Sequence, residues 1–224
     1  MPLTSSQVAK NMLGEDVITP DDLGNFSYPS SFLNEEWTLG TNELHRLREG
    51  GFLLFPGPPE AYSIVDMLRK WPEFFYRPKE KYPAELWYQV EKHGQEFARR
   101  SLLPCGWHAV RSEPVEGSCE LRWEQQQLMP KSENDESVPD AVLIVWMILL
   151  FSMVRKRWLF ENAWVRTSAQ VSIFPFPEGS SPVLGPQVYV GTESGNIVLG
   201  FHQQSPATHG GQKKPIGVAV SLKI

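Results

Sequence analysis

Hydrophobic positions fall along this chain in three kinds of run, and each kind predicts a different element. Leu44 and Leu47 share one helical face behind Thr41, so residues 41–49 read as a short helix with Thr41 as N-cap. Gly50-Gly51 ends it. Phe52-Leu53-Leu54-Phe55 is a continuous apolar run of strand length, the pattern of a fully buried strand. Pro56-Gly57-Pro58-Pro59 forms a rigid turn. Ala61, Ile64, Val65 and Leu68 recur at helical spacing, which predicts an amphipathic helix over residues 60–71, stopped by Pro72. Phe74-Phe75-Tyr76 read as core aromatics and Lys79-Glu80-Lys81 as a solvated face.

Residues 105–110 and 119–124 flank a turn-rich link at 112–117, which predicts a hairpin. Ser137, Pro139 and Asp140 resemble a helix N-terminus. The stretch from there to about Phe160 is apolar nearly all round, so its helix should be central and buried. After Ser168 the runs become short, apolar or alternating, at 171–174, 187–190, 196–201 and 217–222, with Pro, Gly and Ser between them. These are strands. Residues 1–35 are polar and turn-rich and read as an arm or edge strand. The resulting division is an arm over 1–35, a helix-rich region over 36–130, and a central helix with an antiparallel β region over 131–224.

Composition narrows the class. With 224 residues, 41% of them hydrophobic, the chain can build one domain with a sizeable core. Twenty-one basic and 26 acidic residues give a net charge of −5, which argues against a dedicated nucleic-acid partner. The one dense basic cluster, Arg155-Lys156-Arg157, reads as a solvated helix end. Cys105 and Cys119 are too few for a disulfide framework and read as small buried thiols. The N-terminus lacks the apolar stretch of a secretory signal, and the apolar run at 141–151 is shorter than the about 20 residues of a membrane span. The expected location is cytoplasmic, without a membrane partner.

The order of motifs carries a resemblance. Residues 47–55 (LREGGFLLF) run into a Gly/Pro turn and a helix, then into Glu73-Phe74-Phe75-Tyr76-Arg77-Pro78-Lys79-Glu80-Lys81. Pro104-Cys105-Gly106-Trp107 precedes Glu120-Leu121-Arg122-Trp123-Glu124, and Ser172-Ile173-Phe174-Pro175 precedes residues 191–201 (GTESGNIVLGF). This series, over residues 38–203, resembles the isopenicillin-N-synthase-like, iron(II)/2-oxoglutarate-dependent oxygenases. The resemblance implies an α+β fold, with N-terminal helices packed on a partial double-stranded β-helix (jelly-roll) barrel. It also implies Fe(II) and 2-oxoglutarate as cofactors and a small-molecule substrate in the oxidative tailoring of a metabolite.

The family's metal centre needs two histidines and a carboxylate on one face of the iron, with open positions for co-substrate and oxygen. Its His-x-Asp pair matches Gly191 and Glu193 here. Glycine offers no ligand, so Glu193 is the one ligand position retained, at the aspartate's place. The second histidine and the Arg-x-Ser that binds the co-substrate have no counterpart, and no arginine follows Arg166. Phe174, Glu193 and His202 are the expected lining of a remaining pocket. His202 and His209 flank a loop, and a rescued metal site would need them together with Glu193. Otherwise they are polar loop residues. His108 reads as a satisfied, partly buried histidine, and His45 and His93 as surface residues. The eight tryptophans could line an apolar pocket or fill the core.

Three readings follow. The chain is an incomplete, truncated version of an oxygenase, with the missing ligands beyond Ile224. Alternatively it is a non-oxidative relative that binds a ligand or partner. Or it is a metal-independent isomerase or cyclase on the same fold. Gly191 weighs against the first, because truncation does not remove a ligand from inside the matched region.

Overall fold

The computed structural model describes residues 5–24, 26–33, 39–76, 95–102, 105–131, 134–173, 183–201, 208–209, 212–213 and 215–222. The helices are α1 (Ser5–Leu13), α2 (Ser30–Leu33), α3 (Thr41–Glu49), α4 (Ile64–Lys70), α5 (Glu96–Arg99), α6 (Trp123–Gln126) and α7 (Ala141–Arg155). The strands are β1 (Phe52–Pro56), β2 (Trp107–Arg111), β3 (Glu136–Ser137), β4 (Trp164–Ile173), β5 (Val183–Glu193), β6 (Asn196–Phe201), β7 (Thr208–His209), β8 (Gln212–Lys213), β9 (Ile216–Val218) and β10 (Ser221–Leu222). The class is mixed α+β. One four-stranded sheet has the order β1-β2-β10-β3 and a second the order β6-β5-β4-β9, with β7 and β8 as a separate pair. Among the described residues neither sheet closes into a barrel.

The organising element is α7. Asp140 caps it by accepting a hydrogen bond from the Val142 N–H, and Lys156 in the left-handed conformation ends it. Every residue from Ala141 to Ser152 is buried, as an all-round apolar helix requires. One continuous core joins it to Leu53, Phe55 and Val110 of the first sheet and to Val165, Val188, Val190, Ile197 and Leu199 of the second. The Trp146 indole also donates to the Pro56 carbonyl at 2.8 Å, which ties the helix to the end of β1. The opposite face of the first sheet, with Phe52, Leu54 and Ala109, packs on Ala9 and Leu13 of α1 and Leu44 and Leu47 of α3. No helix among the described residues is long and apolar enough to cross a membrane.

Several sequence expectations change. The N-cap of α3 is Gly40, whose N–H donates to the Glu43 carboxylate, so Thr41 is the first helical residue. The helix expected over 60–71 starts later, because Ser63 and Asp66 form a capping box at its head. The expected hairpin does not form. Ser118–Glu120 form a 3-10 turn and Trp123–Gln126 a short helix, and β2 pairs with β1 and β10 instead. Ser137 lies in β3 rather than at a helix N-terminus. The N-terminal arm is largely helical, and Val17 joins β1 by a single parallel bridge at Leu54. The basic cluster is only partly solvated: Lys156 is exposed, but both arginines are paired. Arg155 pairs with Asp22 and Glu15, and Arg157 with Asp16, which pins the arm to the end of α7. Lys79-Glu80-Lys81 and His93 lie outside the described residues.

Candidate functional site

Strand alternation sorts the second sheet into two faces. Val165, Val190, Ile197 and Leu199 point to α7. The other face is laid out in rows by the register. Arg166 stands opposite Tyr189, and Tyr189 opposite Gly200. In the next row Ile216 pairs with Trp164, while Gly191 pairs with Val198. Glu193 and Asn196 close the face at the β5–β6 hairpin. The two turn residues, Ser194 and Gly195, both have positive φ, as a tight two-residue hairpin demands.

The centre of this face is aromatic. Trp164 and Tyr189 stack with centroids 5.0 Å apart and planes at 13°. Each ring lies over a glycine. A Cβ on Gly191 would stand 2.7 Å from Cγ and 2.8 Å from Nε1 of Trp164. A Cβ on Gly200 would stand 2.5 Å from Cε2 of Tyr189. The two glycines are the floor on which the stack rests. With Val198 and Ile216 the pair forms a small buried cluster, and burial pushes the Tyr189 hydroxyl up to about 12.

Two charged groups flank the stack. Glu193 is half-buried, and its Oε2 is buried without a hydrogen-bond partner. Arg166 is buried and donates from Nη1 to Gln126 Oε1 at 2.9 Å. Gln126 in turn donates from Nε2 to the Ser118 and Ile216 carbonyls, which moors α6 to β9.

These residues do not fit an iron centre. Gly191 supplies no ligand, and the indole fills the space where a side chain at 191 would project. Glu193 is alone, and among the described residues no group of three His, Cys, Asp or Glu is placed to hold a metal. Phe174 and His202, the other expected pocket residues, lie outside the described residues, as does the side chain of His209. His45 is exposed, as expected. Cys105 and Cys119 are half-buried thiols outside any disulfide, and burial pushes the Cys119 thiol up. His108 is partly buried, as expected, but its hydrogen bonding departs from expectation. It sits on β2 against Phe55, its Nε2 is buried without a hydrogen-bond partner, and burial pushes the imidazole down to about 4.

A second feature was not foreseen. A groove of about 810 Å³ lies between the end of α4 and the C-terminal turn of α7. Phe26, Trp71, Phe74 and Met153 give it apolar walls. At its rim the Tyr62 hydroxyl donates to Glu60 and contacts the Lys70 ammonium, which stands 4.6 Å over the Tyr62 ring and 5.1 Å over Trp71. The Tyr62 contact holds Lys70 above its ordinary value, while burial and Glu60 raise Tyr62. At the other end Asp22 binds Arg155 at 2.9 and 3.1 Å. Burial opposes ionisation of Asp22, but hydrogen bonds from Arg155 and Thr19 win and hold its carboxyl at about 2. The sequence signal for this groove was weak: Trp71 and Phe74 follow a helix and look like any core aromatics.

Comparison with known proteins gives no match among protein-family models, curated proteins or solved structures.

Proposed function

We propose that the chain has the architecture of the isopenicillin-N-synthase-like oxygenases, with the β region as a partial jelly roll, and has lost their iron site. On this reading it is a metal-independent protein that binds a small apolar or amino-acid-derived metabolite. The observation that carries the reading is the Trp164 ring on Gly191: the position of the first iron-binding histidine is built over by an aromatic pair. Glu193 keeps a carboxylate at the neighbouring ligand position, but one ligand does not hold Fe(II) on a face that needs three. The motif order over residues 38–203 supports the family, and the net charge of −5 supports a small molecule rather than nucleic acid. A cytoplasmic location belongs to the same proposal.

The test is anaerobic titration with Fe(II) and 2-oxoglutarate. The expected result is no visible charge-transfer band and no metal retained after desalting. A clear band with stoichiometric iron would overturn the loss of the site.

A second reading places an isomerase or cyclase function in the groove. What favours it is the Glu60–Tyr62–Lys70 chain, which brings a proton donor and an ammonium beside an apolar wall. Turnover of a candidate substrate by metal-free protein, lost in Tyr62→Phe, would support this reading over simple binding.

A further inference from the structure

Among the described residues Arg166 makes no ion pair. Its side chain belongs to a residue only 6% exposed, and its one side-chain partner, Gln126, is neutral. Among the described residues no carboxylate lies within ion-pair distance of it. Glu124 contributes only a through-space field, and Glu124 is exposed. Glu193, the acid on the same face, lies four residues along β5 from the Arg166–Tyr189 row, about 13 Å away at strand rise. It cannot neutralise the guanidinium. Arginine does not escape by deprotonation, since its charge persists in proteins. Buried charges in folded proteins are ordinarily paired. Of the five N–H donors in the guanidinium fork, Gln126 takes one. The remainder form the planar array that matches a carboxylate with two parallel hydrogen bonds. Gln126 is itself locked by two backbone carbonyls at 2.7 and 2.9 Å, so the fork is held in place before any ligand arrives.

We propose that Arg166 is the anchor of a binding site for a small carboxylic acid, at the β9 side of the sheet β6-β5-β4-β9. The ligand supplies a close counter-charge, which the exposed Glu124, acting only through space, does not. Tyr189 and Val218, opposite Arg166 on the two neighbouring strands, flank the site and favour an acid with an apolar body. The proposal rests on the small-molecule part of the proposed function and not on the loss of iron.

The test uses the whole chain with benzoate and succinate as probes, in chloride buffers of matched ionic strength. Thermal melting and calorimetric titration are read together. The expected result is a rise in Tm at millimolar carboxylate with saturable binding. Arg166→Met should abolish the response; because it also leaves the buried Gln126 Oε1 without its donor, the variant's own melting point in chloride is the baseline from which its response is read. If Arg166→Met does not fold, Arg166→Lys serves. It keeps the charge but loses the fork, and binding should weaken at least tenfold. An equal response in either variant, or none in the parent, overturns the proposal. Equal binding of inorganic phosphate overturns the carboxylate assignment. A response restricted to acidic peptides overturns the small-molecule class. Binding of benzyl alcohol without binding of benzoate would leave a metabolite pocket standing and remove Arg166 as its anchor.

Discussion

Acidification through pH 6.5 to 4 should destabilise this protein through one residue, His108. Its imidazole faces the main core beside Phe55, and Nε2 is buried with no hydrogen-bond partner among the described residues. Burial lowers its pKa from 6.5 to about 4. The unfolded chain therefore binds the proton first as pH falls. The native state is relatively more stable above pH 6.5 and loses that advantage progressively down to about pH 4. The shift of about 2.5 units corresponds to about 3 kcal/mol at most, of which about 2.5 kcal/mol should be gone at pH 4.5. That is a large share of a typical folding free energy.

Urea unfolding at pH 7.5, 6.5, 5.5 and 4.5 measures it, with His108→Leu as the comparison. The variant removes the titration, so its stability should fall less over this range by about 2.5 kcal/mol. It also removes a buried unpaired nitrogen, so at pH 7.5 it should be as stable as the parent or more so. Asp22 does not confuse the reading. Its depressed pKa contributes stability above pH 3.8 that is lost only as pH falls through about 2. Parallel loss in parent and variant down to pH 4.5 would refute the argument, and would place the acid sensitivity in the surface carboxylates.

Asp22→Asn removes the carboxylate from Arg155, whose side chain is 15% exposed, and should cost about 1–2 kcal/mol at pH 7 after solvent screening. Urea unfolding checks it, and the deficit should vanish near pH 2. Trp146→Phe deletes the indole donor to Pro56 and leaves a void in the main core, for a loss of about 2–3 kcal/mol in the same assay. Gly191→Ala should cost about 1–3 kcal/mol by forcing the Trp164 ring off its floor, and much less in a Trp164→Ala background. Equal cost in both backgrounds would mean that the ring does not set the price.

Elements whose signal is local were legible in the sequence. Phe52-Leu53-Leu54-Phe55 forms a buried strand, and residues 141–152 form a buried helix, because an uninterrupted apolar run has nowhere else to go. Glycine and proline punctuation placed the ends of α3 and α4. Pairing partners were not legible. Residues 119–124 read as the second arm of a hairpin, yet β2 finds its second neighbour in β10, where Ala109 pairs with Leu222, 113 residues further on. Charge pairing across the chain was equally hidden: Arg155 and Asp22 meet only because the arm folds back along α7. For the candidate site, the resemblance read from the sequence singled out Gly191 as a position without the ligand it implies. What replaces it was out of reach, since Trp164 lies 27 residues away and is brought there by the β4–β5 register.

That register makes the change at Gly191 more than the absence of one side chain. Gly191 and Gly200 lie on adjacent strands, and the Trp164–Tyr189 stack needs both to be bare. A histidine restored at 191 would meet the indole before it met any metal. Removing the indole would open a void against Tyr189, Val198 and Ile216 and cost packing energy in a fully buried cluster. Gly191 and Trp164 on the neighbouring strand thus stabilise each other, and changing either alone destabilises the sheet. A metal site on this face would need several residues changed together, whereas the proposed acid site at Arg166 on its β9 side needs none.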